Sequence, residues 1–252
     1  MKCFFILKKC LICYNLIVII MRMDFLKNSV IAHRGVYDNQ RIYENTIGSI
    51  ERCIKENTPV FLDISLLKDN TIICFADKTL TRLIHVEESI SDVTLNDLNY
   101  YSKIKIPTIE EALVLIRGRV PLILNIRSSS KKHFIESQLL SMLKNYPEEN
   151  ICIQSEDTSV LKYIYKNNKK IRLGYSVSKN NYYKFLLFQS FDYVCLDSLL
   201  LSDKQARKLK ERYFLIGYNI KTKEQYLRKK GFYDAYVCDN ILDIISNQVY
   251  NK

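Results

Sequence analysis

The sequence predicts an α/β fold, a (β/α)8 TIM barrel, for residues 29–252, and three observations support that prediction. Short apolar runs rich in β-branched residues alternate with segments of helical spacing, which is typical of parallel strands buried on both faces. About eight such strands fit in about 225 residues, the count and size of this barrel. With only six glycines and no glycine-rich turn after the first strand, a doubly wound nucleotide-binding sheet is disfavoured.

The individual elements follow from local sequence signals. The first strand, 29–33, is an apolar run that ends in a charged pair, and residues 46–56 then show helical spacing. Asp69 and Asn70 predict a turn between two strands. Thr108 caps a helix whose first turn is acidic, as the helix dipole favours. The other predicted strands are 60–64, 71–75, 121–126, 151–154, 171–175, 193–196, 214–218 and 235–238, and the other predicted helices are 95–98, 109–116, 131–144, 158–165, 182–188, 202–212 and 223–230.

The segment 1–28 is treated as separate from the barrel. Its apolar run, 10–21, follows two lysines and is shorter than the about 20 residues that a membrane-spanning helix needs. Three interpretations stay open: translation starts at Met21 or Met23, the segment is a membrane anchor, or it is a cleaved signal peptide that lacks a small-residue cleavage site. Membrane association through residues 1–22 is therefore one expectation.

Composition narrows the function classes. The hydrophobic content of 48% and charged content of 26% indicate a globular protein. The net charge of +11 is spread along the chain, which favours general attraction to anions over a nucleic-acid groove, so we expect no nucleic-acid partner. Several of the eight cysteines lie inside apolar strand-like runs, where cysteine is a small buried hydrophobe; this pattern predicts a reducing compartment and a cytoplasmic location.

Polar side chains recur where the predicted strands end, and in a barrel the active site lies at those carboxyl ends. His33 and Arg34 directly follow a buried strand, a costly arrangement unless the pair binds something. Together with Asp63, they place an imidazole, a guanidinium and a carboxylate within about 30 residues, the groups that phosphate-ester chemistry uses. Further strand-end residues are Asp77, Asn125 with Arg127, Gln154 with Ser155, Asp197 and Asn219.

These motifs resemble those of the glycerophosphodiester phosphodiesterase family over residues 29–240. The resemblance implies a TIM barrel of the phospholipase-C-like phosphodiesterase type. It also implies a role in lipid metabolism, the hydrolysis of deacylated phospholipids such as glycerophosphocholine to glycerol 3-phosphate and an alcohol. The matching residues are His33-Arg34-Gly35, Glu44-Asn45-Thr46, Asp63 in its strand, Asp77 with Leu80 and Arg82, and Pro107-Thr108-Ile109-Glu110-Glu111.

The resemblance also implies roles for single residues. His33 would be one of two acid/base histidines, and Arg34 would hold the phosphoryl oxygens, since its fork suits a phosphate. Glu44 would orient Arg34 or the substrate. Asp63 would be a ligand of Ca²⁺ or Mg²⁺. Of the other histidines, His85 is expected in a loop and His133 at a solvated helix start.

Three departures from the family pattern point the other way. Phe61 and Asn125 stand where the family has metal-binding glutamates, and Ala76 stands where it has its second histidine. A lone, vestigial Asp63 would not hold a hard cation tightly. We therefore expect a degraded site, a pseudoenzyme or weak phosphate binder that uses His33, Arg34 and Arg127 and retains no metal cofactor. The alternatives are a phosphodiesterase of low or altered activity that uses Ca²⁺ or Mg²⁺, and a membrane-anchored interaction protein.

Overall fold

Eight parallel strands close into a barrel in the computed structural model, which describes residues 23–127, 132–182, 191–239 and 241–245. The barrel closes because the first strand pairs with both the second and the last. This confirms the predicted fold class. Within the described residues the strands are β1 (Val30–His33), β2 (Val60–Leu66), β3 (Ile72–Cys74), β4 (Leu122–Ile126), β5 (Ile151–Ser155), β6 (Arg172–Val177), β7 (Tyr193–Asp197), β8 (Phe214–Ile220) and β9 (Ala235–Cys238).

Strand β3 lies outside the ring. It pairs antiparallel with the last residues of β2, Ile64 to Leu66, beyond the point where β1 stops. It belongs to an insertion, residues 67–107, whose buried side chains form a hydrophobic cluster of their own around Ile73, Phe75 and Leu83. Because β3 continues from the carboxyl end of β2, the insertion stands beside the mouth of the barrel.

Helices follow most strands, as predicted. Two short helices, residues 81–84 and 241–245, were not predicted. The predicted helix 182–188 lies outside the described residues except for Tyr182. Other boundaries differ by a few residues. The described helices are α1 (Ile47–Lys55), α2 (Thr81–Ile84), α3 (Leu95–Tyr101), α4 (Ile109–Ile116), α5 (Phe134–Met142), α6 (Thr158–Asn167), α7 (Asp203–Lys210), α8 (Lys223–Lys229) and α9 (Ile241–Ile245).

The strands contribute side chains to two hydrophobic cores, one inside the ring and one between the ring and the helices, because successive side chains point to opposite faces of a strand. On β2, Leu62 and Ile64 join the cluster that packs under the helices, whereas Phe61 joins the cluster inside the ring. Asp63 shares the inward face of Phe61 and is the next inward residue towards the carboxyl end. This alternation decides which strand residues reach the mouth.

The amino-terminal end of the barrel is filled by the residues that precede β1. A short 3₁₀ turn, Asp24–Leu26, sits there, and Met23 and Leu26 are fully buried among the interior side chains. Among the described residues, Met23 and Leu26 therefore fill this end of the barrel interior.

No helix in the described part of the chain is long and apolar enough to cross a membrane. The anchor predicted for residues 1–22 lies outside the described residues. The five described cysteines are all buried: Cys74, Cys152, Cys195 and Cys238 on strands, as the strand patterns predicted, and Cys53 on α1. The cytoplasmic location stays a prediction.

Candidate functional site at the barrel mouth

Arg34 reaches the mouth through a tight turn directly after β1. Its backbone is left-handed, with φ of 62°, and its N–H donates to the carbonyl of Phe61 at 2.7 Å. Gly35 follows with φ of 86°, and a side chain there would overlap Ser49 at the start of α1. Glycine is required at this position because both the conformation and the close approach exclude a Cβ atom.

The segment from Glu44 to Thr46 fixes the other side of the site. Thr46 caps α1 by accepting from the N–H of Ser49, which ends the loop at a defined place. The Oδ1 atom of Asn45 accepts from the backbone N–H of Asp63 at 3.3 Å, so this loop is tied to β2. Glu44 is 2% exposed, and its carboxylate points at Arg34.

The guanidinium of Arg34 bridges two buried carboxylates. Its Nε donates to Oδ2 of Asp63 at 2.9 Å and its Nη1 donates to Oε1 of Glu44 at 2.8 Å. Burial works to lower the pKa of Arg34, but attraction to Asp63 and Glu44 outweighs it and raises that pKa. Arg34 is therefore a permanent cation, and its Nη2 has no partner among the described residues.

A second guanidinium, that of Arg82, comes from α2 in the insertion. Its Nη1 donates to Oε2 of Glu44 at 3.0 Å, its Nη2 donates to Oε1, and its Nε donates to Asp77 at 2.7 Å. Burial acts to raise the pKa of Glu44, yet its hydrogen bonds with Arg82 and its attraction to both arginines lower it overall. Glu44 is thus an ionised carboxylate held between two arginines.

His33 is oriented by a residue that the sequence reasoning missed, Asp239. The imidazole Nδ1 lies 2.6 Å from Oδ1 of Asp239, and the ring meets Phe61 edge to face at 5.3 Å between centroids. Burial acts to raise the pKa of Asp239, but the hydrogen bond and attraction from His33 hold it below its usual value. Asp239 directly follows β9, the strand that pairs with β1. A carboxylate directly after the last predicted strand was the sequence feature that could have identified it as a site residue.

A row of amides and hydroxyls runs from Asp63 into the barrel. The side-chain nitrogen of Asn125 donates to Oδ1 of Asp63 at 2.7 Å, and Nε2 of Gln154 donates to Oδ1 of Asn125 at 3.3 Å. The hydroxyl of Tyr193 donates to Oε1 of Gln154 at 3.3 Å and is the last member of the row. Both oxygens of Asp63 are therefore engaged, one by this row and the other by Arg34.

The residues present do not fit the divalent-cation site that the family resemblance implies. Asp63 has both oxygens in hydrogen bonds to donors, Phe61 offers a ring edge, and Asn125 turns its NH₂ rather than its oxygen towards Asp63. Within the described ranges, no group of three or more His, Cys, Asp or Glu residues could hold a metal ion. Ca²⁺ and Mg²⁺ need several oxygen ligands directed at one point, whereas the carboxylates of this mouth are held by hydrogen-bond donors.

Arg127 directly follows β4. It is exposed and lines a cavity of about 940 Å³ that Asn125 and Asp77 also line. The second guanidinium on Glu44 is that of Arg82, which the predicted phosphate-binding set did not include, and the phosphate-binding role of Arg127 stays a prediction. Asp77 and Asp239 add two carboxylates that this expectation left out.

The remaining histidines lie outside the cluster. His85 is an exposed residue at the end of α2, as expected for a loop. His133 is less solvated than predicted, because its ring stacks on Tyr163 at 4.4 Å and its Nδ1 lies 3.1 Å from buried Glu136. Ala76, the position of the missing histidine, is buried.

Tyr37 is a further titratable side chain whose pKa responds to this cluster. Burial, together with the nearby Asp239 and Glu44, raises the pKa of its phenol well above the usual value. Its hydroxyl therefore stays protonated at neutral pH and is a permanent hydrogen-bond donor at the mouth.

Comparisons with known proteins agree with this architecture. The glycerophosphoryl diester phosphodiesterase family matches residues 33–210. A glycerophosphodiester phosphodiesterase of Caldanaerobacter subterraneus is 29% identical over 164 residues, which span 59% of this chain and 66% of that relative. An Oleispira antarctica phosphodiesterase, solved in complex with the product sn-glycerol-3-phosphate, superposes with a TM-score of 0.78 at 20% identity and covers 91% of this chain and 99% of its own. A Thermotoga maritima glycerophosphodiester phosphodiesterase gives 0.71 at 19% identity, covering 89% and 98%.

Proposed function

Because this chain belongs to the glycerophosphoryl diester phosphodiesterase family, we propose that its mouth binds a small phosphate ester weakly, without metal, as a pseudoenzyme. The observation that carries the proposal is the position of Arg34. Its guanidinium is locked by Glu44 and Asp63, and its free Nη2 and the Nε2 of His33 are left for a ligand. A preorganised guanidinium is a donor set suited to phosphate oxygens, and the imidazolium form of His33 adds a donor at Nε2.

Binding is weak because the mouth is rich in carboxylates. Two guanidiniums and His33 stand against four acidic side chains, so an incoming anion meets attraction and repulsion together. Binding therefore tightens when the imidazole carries a proton. The four acidic side chains are Glu44, Asp63, Asp77 and Asp239.

Turnover is expected to be slow for two reasons. The position of the second acid/base histidine is the methyl group of Ala76, and loss of a general acid costs about 10²–10⁴-fold. The donor set around Asp63 does not fit a dication, so that source of charge stabilisation is missing as well. The diffuse basic charge supports a small ligand as the partner, with no nucleic acid.

The proposal is tested by calorimetry with glycerol 3-phosphate in the presence of a chelator. We expect a Kd of about 1 mM or weaker, and loss of the heat in Arg34→Ala. Arg228→Ala, an exposed arginine paired with Glu224 on α8, is the matched control and should bind like the original chain. Absence of heat at tens of millimolar ligand, or equal heat in Arg34→Ala, contradicts the proposal.

A second candidate is an active phosphodiesterase, and one observation favours it. His33 is held by Asp239 in the way that a carboxylate orients a general base, with Nε2 directed away from the carboxylate. In that case Nε2 would move the proton of the attacking hydroxyl while Arg34 holds the phosphoryl oxygens. Hydrolysis that disappears in His33→Asn would favour this candidate over the pseudoenzyme.

A further inference from the structure

A pocket of about 940 Å³ lies beside the mouth, between the insertion and the loops that follow β4 and β5. Two of its lining residues are joined to the Arg34 cluster, since Asn125 donates to Asp63 and Asp77 accepts from Arg82. The pocket therefore adjoins the Arg34 cluster through Asn125 and Asp77, although Arg34 itself does not line it. Its volume is that of a small-molecule site and is sufficient for the second half of a diester.

Most acidic groups of this pocket already have partners. Asp77 is paired with Arg82 at 2.7 Å. Asp157 caps α6, where its Oδ1 accepts from the N–H of Ser159 at 2.8 Å and meets the positive end of the helix dipole. Glu156 is the remaining carboxylate of the lining, and it is exposed.

The basic groups of the pocket are less engaged. Lys78 and Arg127 are both exposed, and neither forms an ion pair with another described residue. Lys68 also lines the pocket, but it is attracted electrostatically to Asp97 as well. The lining carries three basic and three acidic side chains, so its formal charge is balanced, and Lys78 and Arg127 can meet an anion because Asp77 and Asp157 are engaged elsewhere.

The rest of the lining is aliphatic or hydroxylic. The described lining contains no aromatic ring, so it lacks the aromatic faces that recognise a quaternary ammonium such as choline. Ser89 and Ser91 place their hydroxyls 2.9 Å apart and supply hydrogen-bond donors for oxygen-rich groups.

We propose that this pocket holds the alcohol half of the diester and selects an alcohol that carries its own phosphate, through Lys78 and Arg127, over choline. This inference rests on the proposed function, because the first phosphate must lie at Arg34. Lysine and arginine together with serine hydroxyls match a phosphate dianion, and the forked guanidinium of Arg127 can engage two of its oxygens. Glu156 opposes the anion from the far loop and limits the gain in affinity.

The test compares the affinities of three compounds by calorimetry with a chelator present: glycerol 3-phosphate, glycerophosphocholine and glycerophosphoinositol 4-phosphate. We expect the inositol phosphate diester to bind about tenfold more tightly than the choline diester, since each exposed ion pair contributes a few-fold at most. In Lys78→Ala/Arg127→Ala this ratio should fall to within about twofold. The control, Lys166→Ala/Arg228→Ala, removes the same charge elsewhere and should keep the ratio.

The outcomes separate the two proposals. If glycerol 3-phosphate binds, but glycerophosphocholine binds as tightly as the inositol phosphate diester or more tightly, only the pocket assignment is overturned. A ratio that survives in Lys78→Ala/Arg127→Ala overturns it as well. Absence of binding by all three compounds overturns both the proposed function and this inference.

Discussion

The imidazole of His33 and the carboxylate of Asp239 form a hydrogen bond of 2.6 Å, although 206 residues separate them in the chain. The bond joins the first strand of the barrel to the residue after the last one. Because the side chains are 24% and 28% exposed, the pair is partly shielded from water and its nitrogen–oxygen contact is not a surface ion pair.

Asp239→Asn should destabilise the fold at neutral pH by about 1–2 kcal/mol. The pKa of Asp239 is lowered in the folded chain, so its contribution is complete above the unfolded value and is lost as pH falls through the folded value. Urea unfolding should therefore show a difference at pH 7 that shrinks progressively as pH falls below the unfolded pKa of about 3.8. A difference that does not depend on pH would refute this assignment.

Glu44→Gln should cost about 2–3 kcal/mol of stability, because it removes a buried acceptor of two guanidiniums. Arg34 and Arg82 keep one carboxylate each, Asp63 and Asp77, which limits the loss. Denaturant unfolding measures the effect, and Glu51→Gln on the exposed face of α1 is the matched control. Equal stability of the two variants would mean that Glu44 is not ionised between the arginines.

The double variant Phe61→Glu/Asn125→Glu should acquire affinity for Ca²⁺ or Mg²⁺. It restores two carboxylates beside Asp63, giving the several charged oxygens that these cations need. Thermal unfolding with added cation should show a higher Tm for the variant and no change for the original chain, since a ligand of the folded state stabilises it. If both chains respond alike, the present donor set already binds a cation and our account of Asp63 is wrong.

The purified chain should hydrolyse glycerophosphocholine far more slowly than the about 10 s⁻¹ typical of enzymes. Added Ca²⁺ or Mg²⁺ should change this rate little, because Asp63 is already engaged by Arg34 and Asn125. His33→Asn, assayed in parallel, separates intrinsic hydrolysis from contaminating activity. A fast, metal-dependent rate that His33→Asn abolishes would establish a working enzyme.

Much of the site was predictable because it is local in sequence. His33 and Arg34 end one strand, Asp63 lies on the next, and Glu44 belongs to the loop between them, so strand periodicity alone brings them to one mouth. Phe61, which stands where the family resemblance implies a glutamate, contacts the ring of His33 from the interior cluster. The family resemblance is confirmed by the match over residues 33–210.

The contacts that the sequence did not predict join residues that are far apart in the chain or separated by the insertion. Asp239 meets His33 because the ring closes, a contact visible from sequence only once β9 is paired with β1. Arg82 was among the residues that match the family motif, but its contact with Glu44 was not predicted, because it arises from the insertion folding back over the mouth and nothing in a polar stretch specifies that path. Helix α2, which carries Arg82, has four residues and too little periodicity to be recognised.

The His33–Asp239 hydrogen bond crosses the seam of the ring, the place where β1 pairs with β9. The orientation of the imidazole, and with it any proton transfer at His33, therefore depends on the pairing of these two strands. Should β9 detach from β1, the seven other parallel strand pairings of the ring would remain while the imidazole lost its carboxylate. The seam amides, such as the N–H of Tyr236 bonded to Ser29, therefore report on the same opening that disarms the histidine. Hydrogen exchange at Tyr236 should slow when a phosphate ester occupies the mouth, because the ligand binds only the closed ring.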